Sequence, residues 1–324
     1  MDLITAAQTG KASHLFPSVQ SSVDTNLSLL LFGKERVYKI YRRGVPFFEY
    51  LDDPDLRTAF YREDFSWNRS VSPSIYLQLC SVKKKSGQWN HCSEAEADDF
   101  YIEMQRMDET RNLTEMMLHG RITAQDLKNV AQHLLRSIKK LKQEKMASLE
   151  SWVNRGWKEI MQQRLVSLKG FGESAPPSLE QKEHREVMNS FQNFFASHSY
   201  FSSIGRDALT VHMDNPSDNI LLLEKGVASI DVLLPKEEWR VVEHWFNVGR
   251  LGADVSVLAG REAADLLYQE YAAGLPLPPK EILDFYAGTS AWMRAIYFSI
   301  LQKPQLAARY RQFVLQGIQM DKRG

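Results

Sequence analysis

One stretch constrains this chain more than any other. It runs Val211-His212-Met213-Asp214-Asn215-Pro216-Ser217-Asp218-Asn219-Ile220, and Asp231 follows twelve residues after Asn219. Asn219 opens an apolar run of strand length, through Ile220, Leu221, Leu222 and Leu223. Glu224-Lys225-Gly226 is a turn signal, and Val227 to Leu233 is a second run. The segment reads as a hairpin. Asn219 starts one strand and Asp231 sits near the end of its partner, which would bring the two together. A plain hairpin with a polar loop accounts for any one of these polar residues. It accounts poorly for His212, Asp214, Asn219 and Asp231 as an ordered set.

That set has a chemical rationale. Phosphoryl transfer needs a carboxylate to orient the attacking hydroxyl and accept its proton. It also needs oxygen ligands to hold magnesium on the nucleotide phosphates. Asp214 suits the first task, and Asn219 and Asp231 suit the second.

The 324 residues suffice for two domains or one large two-lobed one. Forty Lys and Arg balance forty Asp and Glu, which gives no general attraction to nucleic acid or an acidic membrane. Cys80 and Cys92 form neither a disulfide framework nor a zinc spacing, so a reducing compartment is expected. The start, Met1 to Thr5, lacks the features of a secretory leader, and no window reaches the length of a membrane span. The cytoplasm is the default expectation.

Strand and turn signals fill the first hundred residues. Leu27 to Phe32, Gly33-Lys34-Glu35 and Arg36 to Tyr41 predict a hairpin. Ile75 to Val82 and Asp99 to Met104 predict a second one, with Lys83 to Asp98 as a solvated loop. Between the hairpins a helix is expected over Pro54 to Val71, with Leu56, Phe60, Trp67 and Val71 on one face. Glu63 completes that stripe. A carboxylate there is costly to bury without a partner, and Lys39 on the preceding strand is the obvious one. Asp64, about 100° around the helix, is the alternative partner. After a polar connector, Gln105 to Thr110, helical periodicity dominates. Thr123 is the expected cap of a helix whose stripe is Leu127, Val130, Ala131, Leu134, Ile138 and Leu141. Gly170 to Pro177 reads as a loop, Leu179 to Ser197 as a helix, and Trp239 onward as helices interrupted at Gly274 to Pro279. The expected fold class is α+β: a sheet lobe with one helix over residues 1–104, and a larger, mostly helical lobe over 105–324.

In this order the residues resemble the aminoglycoside phosphotransferase group of the protein-kinase-like fold. The likeness is closest to a bacterial branch sometimes fused to a P-loop ATPase domain. It rests on Val23-Asp24-Thr25-Asn26 through Tyr38-Lys39-Ile40, on Phe48 to Asp52, on Asn68-Arg69 through Pro73 to Tyr76-Leu77, and on the catalytic stretch. It spans about Val23 to Leu301. The resemblance implies a two-lobed fold and an ATP- and Mg2+-dependent transfer to a hydroxyl, here of a small-molecule acceptor. Asp214 would be the base, and Asn219 and Asp231 would bind the metal. Lys39, held by Glu63, would meet the phosphates. Glu103, Met104 and Gln105 would form the hinge that takes the adenine through backbone groups. His212 would brace the catalytic loop, and Glu243 would help hold it. The acceptor would lie near Glu183 to Tyr200 and Asp284 to Arg294.

The chain also departs from the group. Met213 stands where it usually has glycine, Pro216 where it has a second histidine, and Val232 to Pro235 are apolar where acidic residues are common. Only Gly10 and Gly33 precede Lys39, so there is no glycine-rich phosphate lid. Thr9-Gly10-Lys11-Ala12-Ser13 lacks the spacing of a P-loop. These departures open a second reading: a pseudokinase, or nucleotide-binding interaction module, with little or no transfer.

Overall fold

The computed structural model describes residues 1–45, 48–174, 180–272 and 275–321. The chain groups into two compact units. One comprises Met1–Glu109 and Ser229–Pro235, the other Thr110–Ala228 and Lys236–Gly324.

Strands β1 (Ser21–Asp24), β2 (Ser28–Phe32), β3 (Arg36–Tyr41), β4 (Tyr76–Lys85), β5 (Gln88–His91) and β6 (Asp99–Gln105) build the first unit's antiparallel sheet. Their spatial order is β1-β2-β3-β6-β4-β5. Strand alternation sorts the residues of β3 by face. Tyr38 and Ile40 join a core with Leu29, Leu31, Cys80, Val82, Trp89 and Tyr101. Leu3 and Ala6 of helix α1 (Leu3–Gln8) cover that core, together with Leu15 and Phe16. Lys39 and Tyr41 point the other way, toward helix α2 (Pro54–Val71), where Tyr41 packs on the rings of Phe60 and Tyr61.

Helix α2 begins where its cap dictates. Asp53 accepts from the Asp55 and Leu56 amides, and Pro54 needs no amide at that position. Its buried side is Arg57, Phe60, Tyr61, Asp64, Trp67 and Asn68, while Leu56 is 53% exposed. Of the apolar stripe expected from the sequence, Phe60 and Trp67 are buried, but Leu56 is exposed and Val71 only partly buried, so the core face is turned toward Arg57, Tyr61 and Asp64. Arg57 is 2% exposed and meets Asp99 at 2.7 Å and the Tyr41 carbonyl at 2.7 Å.

The predicted loop from Lys83 to Asp98 is not one. Strand β4 continues to Lys85, turns at Ser86 (φ 51°) and Gly87 (φ 84°), and returns as β5. Two successive left-handed residues make a tight hairpin turn, and Trp89, 5% exposed, anchors the added strand. The hairpin partner of β4 is thus β5, and β6, the partner expected from the sequence, pairs antiparallel with β4 on the opposite side.

The second unit contains α3 (Leu113–Leu118), α4 (Ala124–Lys145), α5 (Glu150–Val153), α6 (Gly156–Glu173), α7 (Gln181–Ser197) and α8 (Tyr200–Ser203). Four short strands follow: β7 (Leu209–Val211), β8 (Ile220–Leu223), β9 (Gly226–Ser229) and β10 (Val241–Glu243). Helices α9 (His244–Leu258), α10 (Arg261–Ala272), α11 (Lys280–Ile300) and α12 (Pro304–Asp321) complete the unit. Thr123 caps α4 in a reciprocal box with Asp126, and the whole expected stripe from Leu127 to Leu141 is buried. Helix α6 runs on through Gly170 to Glu173, into the expected break. Residues 175–179 and Gly274 of the expected interruptions lie outside the described residues. No helix among the described residues is long and apolar enough to cross a membrane.

Removing Arg57 would leave Asp99, 4% exposed, as a buried charge without its guanidinium. Arg57→Ala is expected to lower unfolding free energy by roughly 3–5 kcal/mol, measured as a fall in the urea midpoint at unchanged slope.

Candidate active site

In the first unit the site is built around Lys39. The side chain leaves β3 on the α2 side and is 5% exposed. Its Nζ lies 2.6 Å from Asp231 Oδ1 and 3.9 Å from Asp64 Oδ2. The carboxylate of α2 that faces the lysine is therefore Asp64, not the expected Glu63. Asp64 is 2% exposed, and Glu63, one residue earlier on the helix, is only partly buried. The phase set by Arg57, Phe60 and Tyr61 carries Asp64 into the core. Asp64 accepts from Tyr41 Oη at 2.7 Å and from Asn68 Nδ2 at 2.8 Å.

Asp231 reaches this cluster through an unusual backbone. Strand β9 ends at Ser229, so Asp231 lies two residues past the strand that was expected to hold it. Its φ is 52°, in the left-handed region that aspartate tolerates better than most residues. Neighbouring side chains fix the strain in place. The Asp231 amide donates to Tyr76 Oη at 2.9 Å, and Tyr76 Oη donates to Asp231 Oδ1 at 3.1 Å. The Val232 amide donates to Asn68 Oδ1 at 3.0 Å, and Ser72 Oγ donates to the Ser229 carbonyl at 2.7 Å. Asn68 and Ser72, one turn apart on α2 and its C-cap, thus tie the segment from both sides.

Burial opposes the charge on Lys39, but Asp231 and Asp64 more than offset it and hold its pKa above the ordinary lysine value. Burial raises the pKa of Asp64, and the Lys39 charge only partly counters that. The Tyr41 and Tyr76 hydroxyls are pushed well up, first by burial and then by the carboxylates.

The expected hinge is the end of β6. Glu103 and Gln105 both hold Arg36, at 3.0 Å and 2.6 Å. The Gln105 amide donates to the Ile75 carbonyl at 2.8 Å, so that donor belongs to the sheet and not to a base. Met104 lies in register with Val37 on one side and Tyr76 on the other.

In the second unit the candidate loop joins β7 to β8. Strand β7 pairs with β10, and the His212 amide continues that ladder to the Arg240 carbonyl at 2.7 Å. His212 is fully buried. Its Nδ1 stands 2.9 Å from the Trp239 carbonyl and 3.1 Å from Arg164 Nη2. Burial, then Arg164 and Arg250, push its pKa well below the ordinary histidine value, so it braces the loop as a neutral ring.

Helix α9 holds the rest of the loop. Asn247 accepts from the Met213 amide at 3.0 Å, donates to the Val211 carbonyl at 2.9 Å, and its own carbonyl takes Asn215 Nδ2 at 3.1 Å. Two turns on, Asp254 accepts from the Ser217 amide at 2.7 Å and from Tyr310 Oη at 2.7 Å. Sequence reasoning missed both. The signal was there: Asn247 and Asp254, seven residues apart, are polar groups on one face of an otherwise apolar helix. Met213 is fully buried at negative φ, so it fills core space and demands no special backbone.

These ties present Asp214 partly exposed. Its Oδ1 lies 2.5 Å from Nη2 of Arg250, which comes from α9 three residues past Asn247. Asn219 sits in a 3₁₀ turn before β8, and its Nδ2 donates to the Asp214 carbonyl at 3.3 Å. Glu243, expected to help hold the loop, acts on it through α9. It caps α9, accepting from the Trp245 amide at 3.0 Å, and so sets the helix that carries Asn247, Arg250 and Asp254.

The residues suit a hard cation. Magnesium binds through one or two carboxylates plus phosphate oxygens and water. Asp231 of the first unit is a partly exposed carboxylate, and Asn219 of the second is an amide; each is a ligand type of that kind. Among the described residues no group of three or more His, Cys, Asp or Glu is placed to hold a metal ion.

No protein-family model matches the sequence, and no curated protein matches it. Solved structures do. The GDP complex of wild-type aminoglycoside 2'-phosphotransferase-IIIa superposes with a TM-score of 0.57 at 9% identity, over 97% of this chain and 98% of that one. Aminoglycoside phosphotransferase APH(4)-Ia, in a ternary complex with AMP-PNP and hygromycin B, gives 0.55 at 11%, over 97% and 98%. Choline kinase LicA from Streptococcus pneumoniae gives 0.53 at 11%, over 98% and 100%. The chain therefore has the kinase-like α+β fold of these small-molecule phosphotransferases.

Glu243 supplies a prediction. Burial, opposed by its bonds to the Trp245 amide and the Tyr286 hydroxyl, raises its pKa from 4.5 to about 7. The folded state then holds a proton that the unfolded chain releases. Its stabilisation is full below pH 4.5 and is lost as pH rises through about 7, a change on the order of 3 kcal/mol. The stability of the native protein minus that of Glu243→Gln, from urea titrations, should fall over this window and be flat above it.

Proposed function

We propose that this protein is an ATP- and Mg2+-dependent phosphotransferase acting on a hydroxyl of a small-molecule acceptor. The observation that carries the reading is the contact of buried Lys39 with Asp231, whose backbone is held in the left-handed region. A lysine desolvated beside a carboxylate, with Asp64 behind it, is a positioned cation suited to phosphate oxygens. The fold shared with nucleotide-bound phosphotransferases supports the same assignment.

The residues divide the work as follows. Asp214 accepts the proton of the acceptor hydroxyl as its oxygen forms a bond to the γ-phosphorus. The bond from that phosphorus to the β–γ bridging oxygen breaks, and the diphosphate leaves with the electron pair. Asp214 then returns the proton to solvent. Lys39 meets the phosphate charge, and Asp64 with Tyr41 keeps the lysine in place. Asp231 and Asn219 would hold magnesium, which would supply positive charge against that building on the phosphate oxygens. His212, Asn247 and Asp254 keep the Asp214 loop from rearranging between turnovers. Such catalysis is mostly positioning and electrostatics, which buried networks supply. Backbone groups of Glu103 and Met104 are assigned to the adenine; the Gln105 amide is taken by the Ile75 carbonyl, and the Glu103 and Gln105 side chains hold Arg36.

One observation favours the second reading, a nucleotide-binding module without transfer. Arg250 sits on the carboxylate that would take the proton. Two variants separate the readings. Asp231→Ala should abolish the magnesium-dependent stabilisation by ATP, worth roughly 2.7 kcal/mol at a hundred times the dissociation constant, in a thermal-shift assay. Asp214→Asn should keep that stabilisation and lose about 10²–10⁴-fold in ADP formation. ADP formation equal to the parent's in Asp214→Asn would remove Asp214 as base. Stabilisation by ATP with no ADP formed from any acceptor would establish the module instead.

A further inference from the structure

Resting on the phosphotransferase reading, we propose that the acceptor is an anionic hydroxy compound, and that Arg250 pairs with its carboxylate or phosphate group while Asp214 takes its hydroxyl proton. Several acidic side chains that could grip a cationic acceptor already carry cationic partners, those of the candidate loop among them. Asp214 is held by Arg250 at 2.5 Å. Asp218, on the same loop, is held by both terminal nitrogens of Arg294, at 3.0 Å and 3.5 Å. Arg294 is itself fixed by Asp254 at 3.4 Å and lies over the rings of Phe298 and Tyr310. In the two segments where an acceptor was expected, Glu183 pairs with Arg311 at 2.5 Å and Asp284 with Lys280 at 2.8 Å. A polycation would have to displace these partners one by one, with a guanidinium standing on the base itself.

Arg250 is placed as a ligand group would be. It stands one turn after Asn247, whose bonds to Met213 and Asn215 lock helix to loop, so guanidinium and carboxylate are carried by one rigid piece. Its side chain is 23% exposed, enough for contact from solvent. One terminal nitrogen serves Asp214. A guanidinium has five N–H donors in a fixed fork, so its remaining edge can take a second anion in bidentate fashion. An anion seated there fixes a neighbouring hydroxyl beside Asp214.

The test uses the full-length protein with γ-labelled ATP and magnesium. A deproteinised small-molecule extract of the expression host is split by ion exchange into cationic, neutral, carboxylate and phosphomonoester pools. Kanamycin, choline, glycerol, gluconate and glucose 6-phosphate serve as defined members of each class. The expected result is label in the carboxylate or the phosphomonoester pool, and which of the two identifies the group. Arg250→Gln should then raise the acceptor KM roughly 10- to 100-fold with the ATP KM unchanged, and Arg250→Lys should recover part of the loss. Label confined to the cationic or neutral pool overturns the proposal and leaves the phosphotransferase reading standing. An acceptor KM unmoved in Arg250→Gln, with only kcat reduced, also overturns it and makes Arg250 a positioning residue. Magnesium-dependent ATP stabilisation with no labelled pool removes the transfer reading and this proposal with it.

Discussion

A lysine ammonium withdrawn from water must be met by negative charge, and much of the first unit is arranged to do so. Lys39 is 5% exposed, and alternation along β3 leaves it no route to solvent on the opposite face. Its compensation comes from two places far apart in sequence, Asp64 on α2 and Asp231 near the end of the catalytic stretch. Asp64 needs its own support, because a buried anion costs as much as a buried cation, and the strained backbone of Asp231 needs bracing. Tyr41 and Asn68 serve Asp64, and Tyr76 serves Asp231. The left-handed backbone at Asp231 is part of the same arrangement. Two amides in succession, those of Asp231 and Val232, are received by side chains of the first unit.

The second unit solves a different problem. A loop from β7 to β8 has no ladder for its amides, yet His212, Met213, Asn215 and Ser217 are buried. Buried backbone groups need partners. Here a helix provides them, through two polar side chains on an apolar face. Asn247 serves one end of the loop and Asp254 the other, while Arg294 and Tyr310 hold Asp254 in place. The loop's shape is thus stored in α9 and α11, and Glu243 at the cap of α9 sets where that helix begins.

Local signals that concern only neighbouring residues were readable. The Asp53-Pro54 start of α2, the Thr123/Asp126 box of α4 and the Gly33 turn between β2 and β3 are physics on the scale of one turn. The phase of α2 was not. Leu56 was counted into the core stripe although its place on the outer side depends on what packs there, and this moved the lysine partner from Asp64 to Glu63. The Ser86-Gly87 turn was passed over because charge and polarity on both sides masked a strand anchored by a single tryptophan. The spacing of His212, Asp214, Asn219 and Asp231 was visible. What surrounds those four was not. Arg250, Asn247 and Asp254 carry no motif of their own, and they act through contacts made across the sequence.

Glu243 ties folding to the solvent's proton balance. With its carboxyl protonated in the native state and its pKa raised to about 7, unfolding between pH 4.5 and 7 releases a proton into the buffer. The heat of unfolding measured there then includes the buffer's own heat of protonation. Two buffers at one pH, differing in that heat, would give two apparent enthalpies for the same transition. Taken against the same difference in Glu243→Gln, it counts, in fractions of a proton, how much of the cap of α9 is neutral in the folded protein.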